Sequence, residues 1–308
     1  MNSFLGIAGL VVAAIPALGQ AAGSRNPPLR VVTTTTDLAD IAGQVGGVRV
    51  TVRHISQGYQ DPHFVEAKPS FVLDLRRADL FAYVGLDLEI GWMSLLLDGA
   101  RNPRINRGGR GHVDVSAVIP VLDVPAGAVD RSQGDIHPLG NPHYWLDPEN
   151  GKRIARLFRD KLTELDPAGA PEYAANTRAF EAKLDAAARE WGDPLARIRG
   201  APVVAWHTSW RYFAQYTGMN LVGFIEPKPG VPPSPSHLAG LILTIQRTGA
   251  KTIIMEPFYN RKTADFVASK TGARVLVLPS SVGGRPGATD YLALMRYNIG
   301  QVAAAVKP

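Results

Sequence analysis

Two series of strand-like segments flank one long helical pattern, and this arrangement limits the fold more than any other feature of the chain. On the N-terminal side, Leu29-Arg30-Val31-Val32-Thr33-Thr34 is rich in β-branched residues, Val48-Arg49-Val50-Thr51-Val52 alternates strictly, and Leu80–Gly85 is a buried-type run ending in a Gly turn. Between the first two, Asp37 is read as the cap of a helix that places Leu38, Ile41, Ala42 and Val45 at helical spacing. Phe71, Val72 and Leu75 mark another helical face over Ser70–Arg77. The long pattern follows at Pro171–Trp191, where Tyr173, Thr177, Phe180, Leu184, Ala187 and Trp191 recur every three or four residues, and Gly192-Asp193-Pro194 is read as its stop. At 1.5 Å per residue such a helix spans about 31 Å, the depth of a small domain. Beyond it, Pro202–Trp206, Leu221–Ile225, Thr252–Met255 and Val275–Leu278 read as strands, with helices over His237–Thr248 and Arg261–Thr271. Strands alternating with helices imply parallel sheets with helices on their faces. The expectation is therefore an α/β protein of two parallel-sheet lobes, residues 29–168 and 199–308, with residues 169–198 as the helical link.

The length of 308 residues suits two such lobes, since single domains run to roughly 100–150 residues. With 45% hydrophobic and 19% charged residues the chain is neither disordered nor fibrous. A net charge of +6 raises nucleic acid as a partner, but the basic residues are scattered. Their densest group, Arg101–Arg110, sits in a Gly/Asn-rich loop, so nucleic acid is set aside. The first 22 residues, apolar from Phe4 and closing on small residues around Ala17 and Ala21-Ala22, read as a secretory signal, although the start Met1-Asn2-Ser3 lacks a basic residue. The competing reading, an uncleaved anchor, suffers from a stretch short for a bilayer span of ~20 residues and interrupted by Pro16. The chain has no Cys, which excludes disulfides and a lipid-bearing Cys after the signal. A free periplasmic protein is expected.

No GxxxxGK[ST] loop, no GxGxxG between strand and helix and no G-x-S-x-G elbow is present. The histidines carry the chemistry instead. Of seven, His63 lies in Asp61-Pro62-His63-Phe64, His143 in Asn141-Pro142-His143-Tyr144, and His207 directly after Val203-Val204-Ala205-Trp206. All three fall at strand-to-helix junctions, where open α/β sheets collect ligand groups. They are too far apart for a zinc finger or an HExxH helix, so any shared site is assembled by the tertiary fold.

The segments Asp61–Ser70, Leu75–Leu80 and Tyr83–Glu89 resemble the first signature of the zinc/manganese solute-binding proteins of bacterial ABC importers. Asn141–Pro148 with Asn150 resembles their second signature, and His207-Thr208-Ser209-Trp210-Arg211-Tyr212-Phe213 their third. Met255-Glu256-Pro257, Thr271-Gly272-Ala273, Asp290-Tyr291 and Asn298 match further landmarks in order. The resemblance implies two α/β lobes joined by a single long helix, with a metal ion in the cleft between them held by His63, His143 and His207. It implies a protein without catalysis of its own that delivers the ion to an ABC permease and its ATPase, meeting the membrane only through that permease, and acting as a monomer. Neutral imidazoles suit Zn2+, whereas Mn2+ gains more from carboxylate oxygens, so Zn2+ is expected as cargo and Mn2+ is the weaker choice.

The chain departs from the family in one respect. The usual fourth ligand is an Asp or Glu after the last strands of the second lobe, but Leu278-Pro279-Ser280-Ser281-Val282-Gly283-Gly284 has no carboxylate. Glu256 and Glu226 are weaker candidates for the vacant role, and a water is the other option. Glu66 is expected behind His63 as support, Asp290 as a helix cap, His237 at a helix start, and His137 as a weak accessory ligand. Three imidazoles with an open fourth position also describe catalytic zinc, so a secreted zinc hydrolase or hydratase, with Glu256 or Glu226 as base, stands as the alternative.

Overall fold

The computed structural model describes residues 27–127, 137–228 and 230–306; the expected leader, residues 1–22, lies outside the described residues. The first half runs β1 (Leu29–Thr33), α1 (Thr36–Gly46), β2 (Val50–His54), α2 (Pro69–Arg77), β3 (Leu80–Tyr83), α3 (Met93–Ala100) and β4 (His112–Asp114). Helices α4 (Pro148–Leu165), α5 (Ala170–Glu190) and α6 (Gly192–Ile198) follow. The second half is β5 (Pro202–Ala205), α7 (Arg211–Thr217), β6 (Asn220–Phe224), α8 (Pro235–Thr248), β7 (Thr252–Met255), α9 (Lys262–Thr271), β8 (Arg274–Val277) and α10 (Tyr291–Ala305). The strands form two four-stranded sheets ordered β2-β1-β3-β4 and β6-β5-β7-β8. Every pairing in both is parallel. Two parallel-sheet α/β lobes of matching strand order are thus built from the two halves. In such sheets the crevice at the carboxyl ends of the strands gathers ligands, where the strand order reverses.

Helix α5 buries the predicted stripe of Tyr173, Thr177, Phe180, Leu184 and Ala187. Each fully buried Phe or Leu contributes about 1.5–3 kcal/mol, and Phe180→Ala would cost about 3–5 kcal/mol once the cavity is included. Gly192-Asp193-Pro194 ends α5 but does not end helix: it forms the first turn of α6, where Pro lacks only an N–H that has no intrahelical partner. The strand expected from Val48 begins at Val50, because Gly47–Arg49 makes a 3₁₀ turn first. The cap of α1 is Thr35, whose side chain accepts from the Leu38 N–H. Asp37, read as that cap, lies inside the first turn and is buried.

Its carboxylate instead faces the second lobe, with Oδ1 accepting from the Val282 N–H at 2.9 Å. The Thr36 hydroxyl donates to the Val282 carbonyl at 2.7 Å, and Trp145 Nε1 donates to the Ser280 carbonyl at 2.7 Å. The Tyr291 hydroxyl is shared between the carbonyls of Trp145 at 2.5 Å and Asp147 at 3.0 Å. One apolar cluster runs through both lobes, taking in Val31, Leu38 and Val84 from the first half and Val203, Trp210 and Tyr291 from the second. Smaller clusters around Phe81 and Ile253 fill the far side of each sheet. Gly58 touches the loop after β8 so closely that a Cβ there would lie 1.9 Å from the Val282 carbonyl oxygen. Any larger residue would force those two loops apart.

Candidate metal centre

Each of the three histidines sits beyond a strand and is held by a local hydrogen bond at its Nδ1. His63 follows β2 in the turn Asp61-Pro62-His63, anchored by Trp92 Nε1 donating to the Pro62 carbonyl at 3.0 Å. Asp61 Oδ1 accepts from the His63 backbone N–H at 3.0 Å and from its Nδ1 at 2.7 Å. Asn141-Pro142-His143 repeats the device: Asn141 Oδ1 accepts from the His143 N–H at 3.0 Å and from its Nδ1 at 3.0 Å. The Asn141 amide group donates to the Thr208 carbonyl at 2.9 Å and to Asp123 at 3.2 Å, which fixes its oxygen toward His143. Behind His143, the 3₁₀ turn Tyr144–Leu146 is fully buried, and Asp147 caps α4 by accepting from the Glu149 N–H at 2.8 Å. His207 leaves β5 just before Thr208–Trp210, with Trp210 buried as an anchor. Pairing of β5 with β6 continues one step further, the Glu226 N–H donating to the Trp206 carbonyl at 3.0 Å. That register sets Glu226 Oε2 2.9 Å from His207 Nδ1.

An oxygen acceptor at Nδ1 makes that nitrogen the N–H in all three rings and leaves the lone pair on Nε2. One ligand nitrogen from each of His63, His143 and His207 lies within 4.8 Å of the others. The ring centroids stand 5.2 Å apart for His63 and His143, 5.5 Å for His63 and His207, and 5.1 Å for His143 and His207. His143 and His207 are each 3% exposed, and His207 Nε2 has no hydrogen-bond partner. Burial, reinforced by the neighbouring imidazoles, holds His143 well below the usual imidazole range, so it is neutral and able to bind metal. Burial pushes Asp61 up, but its hydrogen bonds with His63 outweigh this and leave it below the usual carboxylate range. The three Nε2 atoms, two from the first half and one from the second, match the donor type and convergence of a tetrahedral zinc site.

The glutamates expected as fourth ligands have other partners. Glu226 meets His207 from the Nδ1 side, opposite the atom left for metal. Glu256, at the end of β7, is buried and accepts from the Ser209 hydroxyl, and burial pushes it up to about 8 despite that bond. Glu66 is exposed, and the carboxylate behind His63 is Asp61, two residues before it rather than three after. Asp290 caps α10 through the Ala293 N–H at 2.8 Å, and His237 lies in the first turn of α8 with Nε2 3.0 Å from the Phe224 carbonyl. His137, expected only as an accessory, comes to 3.2 Å from His63, Nε2 to Nε2. The Asx-Pro-His repeat was the sequence signal that would have found Asp61 and Asn141; Glu226 has no such local signal.

A family model described as ZnuA, zinc-uptake complex component A, periplasmic, matches residues 31–305. The chain belongs to this family. Over 277 residues it is 27% identical to the manganese-binding lipoprotein MntA of Halalkalibacterium halodurans, covering 88% of this chain and 86% of the relative. Over a shorter stretch of 136 residues it is 34% identical to the high-affinity zinc uptake system protein ZnuA of Brucella abortus, covering 44% of this chain and 41% of that one. A crystal structure of ZnuA superposes with a TM-score of 0.76 at 25% identity, covering 91% of this chain and 100% of the other. A laminin-binding adhesin of Streptococcus agalactiae superposes with a TM-score of 0.74 at 26% identity, over the same shares of each chain. As a member of the ZnuA family the chain is a metal-binding solute-binding protein of an ABC importer, acting outside the cytoplasm, and not an enzyme. The hydrolase alternative falls with that assignment.

Proposed function

We propose that the protein captures Zn2+ in the periplasm through His63, His143 and His207 and hands it to an ABC permease driven by its ATPase. The observation that carries this reading is the convergence of three Nδ1-anchored imidazoles within 4.8 Å, drawn from both halves of the chain. The choice of Zn2+ over Mn2+ rests on the donor set, since nitrogen ligands favour zinc and the relatives carry both metals in their names. Asp61 and Glu226 supply two carboxylates behind the ligands, enough to balance a divalent cation without touching it. In this reading residues 29–168 and 199–308 are the lobes, residues 169–198 the link, residues 1–22 the leader, and the working form a monomer. Calorimetric titration of metal-free protein tests it. Zinc is expected to bind tighter than micromolar and more tightly than manganese, and His63→Ala, His143→Ala or His207→Ala to weaken binding by orders of magnitude. Zinc binding weaker than micromolar in the wild type would reject the proposal.

A further inference from the structure

We infer that the first half carries a second binding site, a pocket for a phosphate monoester on the face of its sheet beside α2, separate from the metal centre. A cavity of about 340 Å³ opens there, lined by Arg30 and Val32 of β1, Thr51 and Arg53 of β2, and Asp74 and Arg77 of α2. The parallel register sets Arg30 beside Thr51 and Val32 beside Arg53, so these four side chains share one face of the sheet. Val32 is the buried floor, packed into the apolar cluster with Leu75 and Phe81. Arg30 and Arg53 lie on adjacent strands and two positions apart, which puts their Cα atoms about 8 Å from each other, close enough for both side chains to reach one anion.

The charge around this cavity has no internal partner. Asp79 accepts from the Arg30 backbone N–H at 2.9 Å and from the Arg104 guanidinium at 2.6 Å, and not from the Arg30 side chain. Among the described residues, the side chains of Arg30, Arg53, Arg77 and Asp74 make no hydrogen bond or ion pair. Three guanidiniums against one carboxylate leave a net charge of +2 on the lining. A phosphate monoester carries about −1.5 to −2 near neutral pH, and guanidinium forks match its oxygens in pairs.

Size and lining chemistry narrow the ligand further. Pockets of roughly 300–1,000 Å³ hold small organic molecules, so this one has room for a phosphate and a small substituent. The Thr51 hydroxyl adds a neutral donor, whereas Asp74 repels phosphate and suits a hydroxyl group. That pairing selects an ester whose other end is a polyol. Arg30 stands near the amino end of β1 and Arg77 closes α2, whereas the three histidines lie beyond the carboxyl ends of their strands. Ester and zinc are therefore expected to bind independently. A free metabolite and a lipid headgroup present the same phosphate chemistry, and the two are separated by experiment.

Calorimetric titration of the full chain with glycerol 3-phosphate, beside co-sedimentation with phosphatidic acid vesicles and phosphatidylcholine vesicles as the control, tests the assignment. The free ester is expected to bind with a Kd below about 1 mM, and Arg53→Gln and Arg77→Gln each to weaken it about 10-fold, with zinc affinity unchanged in both. Binding to phosphatidic acid vesicles without binding of the free ester, lost in the same two variants, would support the pocket and assign its ligand to the membrane. Asp74→Asn is expected to tighten inorganic phosphate several-fold, a gain that misfolding cannot mimic. A loss in that variant, no binding of either probe by the wild type, or undiminished binding in both arginine variants would overturn the inference. Zinc titration of the same samples reads the metal centre separately.

Discussion

One carboxylate oxygen of Asp61 grips His63 twice, at the backbone N–H and at Nδ1, 3.0 and 2.7 Å away. The grip fixes tautomer and ring direction together, so losing it frees the ligand rather than removing it. Asp61→Ala is expected to weaken zinc binding about 10- to 100-fold, with Asp61→Asn recovering most of the loss, because Asn141 already performs the same task for His143. Chelator competition decides. Equal losses in the two variants would show that the charge of Asp61, and not its geometry, matters.

Glu226, two residues past the end of the neighbouring strand β6, orients His207 through its Nδ1. Glu226→Ala is expected to lower zinc affinity about 10- to 100-fold while leaving the melting temperature of metal-free protein within a few degrees. Calorimetry with and without zinc separates the two effects. An unchanged affinity would remove Glu226 from the site.

The metal-free protein should lose stability as the pH rises above neutral. Burial pushes Asp37 and Glu89 up to about 7 and Glu256 up to about 8. A group raised in the folded state contributes stability that is full below its unfolded value, near pH 4 for carboxyls, and is lost as pH climbs through the folded value. His137 and His143 are lowered by burial, so their share is lost only as pH falls below about 6.5. Between pH 6.5 and 9 the carboxyls alone act, and the urea midpoint should drop across that window. Glu256→Gln should flatten the drop. A midpoint that climbs over the same window contradicts the assignment.

Gly58→Ala probes the contact between the loop ahead of His63 and the loop after β8. Overpacking against the Val282 carbonyl is expected to cost about 1–3 kcal/mol, read as a lower melting temperature, with weaker zinc binding because the His63 turn shifts. Wild-type stability would mean that the loops part without cost.

Much of the fold was legible because its determinants are local. The strands of both halves announce themselves by β-branched runs, and α5 by a stripe that repeats at helical spacing over five turns. Boundaries were less legible: Gly192-Asp193-Pro194 carries the residues of a helix stop, yet the same Pro is at home in a first turn. Asp37 looks like a cap, but Thr35 took that role, and only the tertiary fold reveals the Val282 N–H that awaits the Asp37 carboxylate. His63, His143 and His207 stood out by motif. His137 did not, since a lone imidazole in a polar loop has the same appearance whether it faces solvent or another histidine. Glu226 and Glu256 were interchangeable acids in the sequence, and sheet register alone separates them.

The apolar cluster that crosses from one lobe into the other has a mechanical consequence. Wide gaping of the cleft would expose side chains that bridge the halves, such as Trp145 and Tyr291, to water, each at a penalty of about 1.5–3 kcal/mol or more. The molecule therefore behaves as a stiff clamp. Cargo exchange must then proceed without prising the two halves apart.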